Sequence, residues 1–106
     1  MDNPFEGGDY LYGREKLGQA VHALAVGEGS LKQRLKEAYI RGLHVVRPEK
    51  HLPEELRERF AKIRDRFTRE GTLNASIEAM SDAEARQIVD EILYLDMLMI
   101  EKTADE

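Results

Sequence analysis

The chain has 106 residues, of which 42% are hydrophobic and 35% are charged, and its formal net charge is -5. A single domain is expected at this length, which excludes a two-domain enzyme with an interdomain cleft and a full TIM barrel of about 250 residues. The absence of cysteine excludes a disulfide framework, a thiolate nucleophile and any metal site with cysteine ligands. Without a secretory signal or a long apolar run, the sequence predicts a soluble, cytoplasmic protein.

The N-terminal residues predict a short arm followed by one helix. Residues 1–9 combine Asn-Pro and Gly-Gly with three acidic residues and show no helical period, so we expect a flexible arm. An apolar stripe at helical spacing then consists of Leu17, Ala20, Val21 and Leu24. This stripe predicts a first helix over residues 10–26 that stops at Gly27.

A capping box predicts the start of the second helix. Ser30 stands three residues before Gln33, so that its hydroxyl can accept from the Gln33 amide while the Gln33 side chain reaches back. Pro48 disfavours helical geometry in the residue before it, which predicts a helix end near Val45 or Val46. The short link between the first two helices predicts an antiparallel hairpin.

Proline, glycine and serine delimit the remaining predicted helices. Pro53 begins a third helix that ends at Gly71, and a capping box of Ser81 and Glu84 begins a long last helix that runs to about Lys102. Between them, residues 72–80 predict a short helix. The third helix carries a narrow apolar seam, which we expect to be core: Leu56, Phe60, Ile63 and Phe67.

Together these patterns predict an all-α fold. No segment alternates with a period of two, and no hairpin turn dipeptide occurs. We expect a compact bundle of four main helices and one short helix over residues 10–102, with a frayed tail over residues 103–106.

Charge is unevenly distributed along the chain. Residues 31–70 hold twelve basic and seven acidic side chains, whereas residues 71–106 hold two basic and nine acidic ones. Internal pairing of the basic segment with the acidic last helix is the simpler interpretation. A nucleic-acid surface is the alternative, and it would use the basic side chains of Lys32, Arg34, Lys36, Arg41, Arg57, Arg59, Arg64 and Arg66.

No residue pattern in the chain is typical of catalysis. The three histidines lack the His-Glu-x-x-His spacing of a zinc site, and no Glu-x-x-His pair of a di-iron bundle occurs. The segment from Gly27 to Ser30 is explained by a turn and a helix cap, since a P-loop needs a different spacing and a lysine. We therefore expect no metal, no cofactor and no enzymatic activity.

The last helix carries one segment that is more apolar than a helix with a single buried face requires. Eight of the nine residues over 92–100 are apolar or aromatic. With a core face centred on Ile92, the side chains of Tyr94, Met97 and Leu98 point away from it, which predicts a partner interface. Asp96 falls within the apolar face, so it is either a buried carboxylate with a partner or a solvated residue at the edge of the core.

The favoured functional hypothesis is a non-enzymatic interaction module that self-associates or docks on a larger protein. A small acidic inhibitor or antitoxin-like protein is a second hypothesis, because length and acidity fit it. A nucleic-acid accessory protein that uses the basic surface is a third. No membrane association is expected.

Overall fold

The computed structural model describes residues 4–104, with side chains described from residue 9 onward. It is all-helical over this range, as the sequence predicts. The elements in chain order are α1 (Pro4–Val26), α2 (Leu31–Arg41), a 3₁₀ turn (Leu43–Val45), α3 (Pro48–His51), α4 (Glu54–Asp65), α5 (Leu73–Ala79) and α6 (Asp82–Thr103). Residues 1–3 of the predicted arm and residues 105–106 of the predicted tail lie outside the described range.

The first helix begins earlier than the sequence predicts. Its start is Pro4 rather than Tyr10, so most of the segment predicted to be an arm belongs to α1. A proline suits the first turn of a helix, because the N–H that it lacks would have no partner there. The start at Pro4 therefore corrects the predicted helix boundary.

The capping box of α2 is confirmed in both directions. The Ser30 hydroxyl accepts from the Gln33 amide at 3.2 Å, and the Ser30 amide donates to Gln33 Oε1 at 2.7 Å. The predicted end near Val46 is wrong. The helix ends at Arg41 with Gly42 as its C-cap, and a Cβ at this buried position would collide with the carbonyl oxygen of Lys16 on α1, so the close approach of the two helices requires glycine here.

One short helix was not predicted. α3 spans a single turn, Pro48–His51, and a side chain closes it: the Arg47 amide donates to His51 Nδ1 at 2.9 Å. The His51 ring is buried against Tyr12 of α1, with ring centroids 4.6 Å apart, and burial lowers its pKa. The neutral ring that burial favours is the form whose Nδ1 can accept this bond.

The predicted seam of the third helix is confirmed as core. Leu56, Phe60 and Ile63 are buried on α4, which starts at Glu54 and ends at Asp65 rather than at Gly71. Phe67 is buried from the turn that follows α4, where its ring stacks on Tyr39 of α2 at 5.0 Å between centroids.

The last two helices follow the sequence closely. α5 is the predicted short helix, and Thr72 caps it by accepting from the Ala75 amide. Ser81 caps α6 by accepting from the Glu84 amide at 3.1 Å. The Glu84 side chain does not complete the predicted box. Its carboxylate instead accepts from Arg66 at 2.8 Å and lies 3.1 Å from Arg69.

Candidate interaction surface

α6 is buried along one face by three other helices. It packs against α1, α2 and α4. Its predicted core face is fully buried at Ala85, Ile88, Ile92, Leu95 and Met99. Val89 lies half-buried at the edge of this face.

α1 and α6 run antiparallel. The connector after Val26 places the end of α1 near the start of α2, and Lys32 in that first turn donates to the carbonyl oxygens of Glu78 and Met80. Those carbonyls immediately precede α6, so α6 begins where α1 ends. Arg14 of α1 lies close enough to Asp96 of α6 for its charge to act on that carboxyl.

Three large apolar side chains on α6 remain exposed and share one face. Leu93, Met97 and Ile100 have exposed fractions of 44%, 48% and 42%. Their spacing of four and three residues aligns them along the helix, since 3.6 residues make one turn. We call these three residues the α6 stripe. Leu11 of α1 is also exposed, and because the helices are antiparallel it lies level with Ile100.

The three residues predicted to form an interface are not equivalent in the structure. Met97 is exposed at the centre of the α6 stripe. Tyr94 is exposed about a quarter turn around α6 from the stripe, where the Arg59 guanidinium of α4 lies 5.0 Å from its ring centroid. Leu98 is only half exposed and packs against the core, so it does not belong with Met97 on one surface.

Leu93 and Ile100 were not assigned to an exposed surface from the sequence, although their spacing from Met97 indicates one. They stand four residues before and three residues after Met97, which is the spacing of a single helical face.

Asp96 lies between the core face and the α6 stripe. It is half-buried, and this burial raises the pKa of its carboxyl, while the positive charge of Arg14 acts in the opposite direction. The charge that acts on Asp96 therefore comes from α1. Asp96 is thus a half-buried carboxylate at the edge of the exposed apolar stripe.

Most of the predicted basic surface is engaged inside the molecule. Four cationic side chains donate to main-chain carbonyl oxygens: Lys32 to Glu78 and Met80, Arg34 to Leu24, Arg57 to Leu52 and Arg64 to Val46. Each acceptor lies in the last turn of a helix or just after it. Carbonyls at such ends have no partner within their own helix, so these cations satisfy them.

Three more of the predicted basic residues contact side chains. Arg41 pairs with Glu37 of the same helix at 3.1 Å, Arg66 pairs with Glu84 of α6, and Arg59 lies over Tyr94. The remaining residue, Lys36, lines an open cleft between α2 and α5. The structure thus distributes seven of the eight residues over separate contacts within the molecule.

Over residues 9–104, no three His, Asp or Glu side chains are grouped in a way that could hold a metal ion. None of the described helices combines the length and the apolar character that crossing a bilayer requires.

Comparisons with known proteins give no relative of this chain. No protein-family model, no curated protein and no solved structure matches the sequence or the fold.

Proposed function

We propose that this protein is a non-enzymatic helical module that binds another protein through the α6 stripe. The observation that carries this proposal is the alignment of Leu93, Met97 and Ile100, each more than 40% exposed, on one face of α6. Single exposed apolar residues are ordinary on protein surfaces, whereas a contiguous apolar stripe is typical of a contact site. Methionine at its centre suits a surface that adapts to a partner.

The internal contacts of the basic residues favour this proposal over the nucleic-acid hypothesis. Arg34, Arg57 and Arg64 each donate to a carbonyl that ends a structural element. A phosphate-binding surface uses such side chains as free cations that track a backbone. We therefore do not propose nucleic-acid binding.

A photo-crosslinking amino acid in place of Met97 tests the proposed function. In extracts of the cells that encode the chain, irradiation is expected to give a discrete covalent product with a protein. The matched control carries the same amino acid in place of Ile40, an exposed apolar residue on α2 with an exposed fraction of 44%. It is expected to give no such product.

A companion variant tests whether the α6 stripe itself makes the contact. The double change Leu93→Lys and Met97→Lys should keep the helical circular dichroism, because both side chains are exposed, and should remove the product when the crosslinker stands at Ile100. Equal products from positions 97 and 40, or none from either, would contradict the proposal. Leu98→Lys is unsuitable for this test, because Leu98 packs against the core.

A further inference from the structure

The charges around the α6 stripe are the starting point for the nature of its partner. Asp96 borders the stripe on the side of the core, and Asp90 and Glu101 border it on the outer side of α6. Two cations lie near this face among the described residues: Arg14 of α1, whose charge acts on Asp96, and Arg86, which falls on the line of the stripe near the start of α6. Carboxylates therefore border the stripe on both sides. Arg86 lies at one end of the stripe, and Arg14 lies near Asp96.

A partner that covers the α6 stripe also covers Asp96. An ionised carboxylate that loses its remaining water needs a cation or hydrogen-bond donors in exchange, or it opposes association. Arg14 supplies one such charge, yet Asp96 remains a site at which the burial of the negative charge is unfavourable. A purely apolar partner would increase this penalty, whereas a partner that brings lysine or arginine would relieve it.

The same residue argues against a second copy of this chain as the occupant. Antiparallel pairing of two α6 stripes sets Leu93 of one copy against Ile100 of the other, and the centre of that pairing falls between residues 96 and 97. Parallel pairing sets equal residues together. Antiparallel pairing brings the two Asp96 carboxylates to the same side of the contact, whereas parallel pairing turns Asp96 of each copy toward the side of the other that carries Asp90 and Glu101. Both arrangements therefore bring like charges together, which opposes association.

We infer that the α6 stripe binds a basic amphipathic helix of another protein, with its apolar side chains on Leu93, Met97 and Ile100 and a lysine or arginine on Asp96. The inference rests on the proposed function and adds the chemical class of the partner. Apolar residues at helical spacing are the usual anchors when a helix lies on a helical surface.

A synthetic peptide of about 18 residues, long enough for five helical turns, is the probe. Its leucines are spaced alternately three and four residues apart, so that they share one face of a helix, and all other positions are lysine. Isothermal titration calorimetry on the full chain is expected to show binding at least about tenfold tighter than that of a scrambled peptide of the same composition. A peptide with glutamate in place of lysine is expected not to bind.

Variants of the chain assign the binding to this surface. Asp96→Asn should lower the affinity for the lysine peptide by about tenfold, which corresponds to the loss of a hydrogen bond to a charged group. Its matched control, Glu49→Gln, removes the same charge from an exposed residue of α3 and should leave the affinity unchanged. Leu93→Lys should abolish binding, and Ile40→Lys should not.

Several outcomes would overturn the inference. These are equal binding of the glutamate or the scrambled peptide, an Asp96→Asn affinity equal to that of the unaltered chain, and a Met97 crosslink that joins two copies of the chain. A crosslinked product from position 97 without binding of the lysine peptide would leave the proposed function standing and refute the basic helix. Absence of any product from position 97 would refute the function itself.

Discussion

At the scale of single residues, the cationic side chains act mainly on main-chain carbonyls. Lys32 joins α2 to the end of α5, and Arg34 joins it to the last turn of α1. Arg64 extends from α4 to the 3₁₀ turn and also lies 5.2 Å from the ring centroid of Phe60. These contacts explain why a segment rich in basic residues does not form an open cationic face.

The ionisation of Asp96 predicts a specific pH dependence. Folding raises the pKa of this carboxyl through burial, so the folded state binds its proton more tightly than the unfolded chain does. The contribution of Asp96 to stability is therefore most favourable below the ordinary pKa of 3.8 and is lost as the pH rises through the raised, folded value.

Asp96→Asn should raise the free energy of unfolding at pH 7, because asparagine has no charge to bury. The gain should shrink as the pH falls and disappear below 3.8. Urea unfolding of both chains over this pH range measures the difference. A constant difference at every pH would show that packing and not ionisation causes the change. A variant that is more stable yet binds less well would identify Asp96 as a residue retained for recognition.

At the scale of the helices, two backbones approach closely at the residue that follows α2. Gly42 is buried against α1, and a Cβ there would meet the carbonyl oxygen of Lys16 and crowd Ala20. The chain then continues as a 3₁₀ turn rather than as the helix that Pro48 alone would permit. The packing of α2 on α1 therefore requires glycine at this position.

Gly42→Ala should destabilise the fold by about 1–3 kcal/mol, the usual range for overpacking. Gly18→Ala is the matched control, since Gly18 is a residue of α1 with open space where the Cβ would stand. Removal of this exposed helical glycine should stabilise the chain by about 0.4–1 kcal/mol. Thermal unfolding of both variants measures the contrast, and two losses of similar size would contradict the close approach at Gly42.

The sequence predicts the features that depend on nearby residues and misses those that depend on helix packing. Local rules correctly gave the caps at Ser30 and Ser81, the short helix α5 and the buried face of α6, because each depends on residues within one or two turns. They failed at Gly42 and at the exposed surface beside Leu93. Those features depend on which helices become neighbours, and periodicity along one helix does not contain that information.

At the scale of the whole molecule, two aromatic side chains connect the helices into one core. Phe60 on α4 and Phe67 in the following turn are both fully buried, and Phe67 stacks on Tyr39 of α2. α4 itself packs against α6. The loss of either ring would therefore affect several helix contacts at once.

Phe60→Ala and Phe67→Ala should each lower the free energy of unfolding by about 3–5 kcal/mol, a large part of the roughly 5–15 kcal/mol of a typical domain. Val26→Ala, at a residue with an exposed fraction of 62%, should change it by less than about 0.5 kcal/mol. Chemical unfolding followed by circular dichroism compares the three. Small losses in both phenylalanine variants would mean that the core does not depend on these rings.

The packing of α6 against three helices that precede it also bears on how the protein is made. Synthesis proceeds from the N-terminus, so α1, α2 and α4 leave the ribosome before the 22-residue helix that covers them exists. Until it emerges, the apolar faces of these helices lack their common neighbour, and long-range contacts must wait for it. The nascent chain is therefore expected to remain incompletely packed, and accessible to chaperones, until the last of the described helices is released.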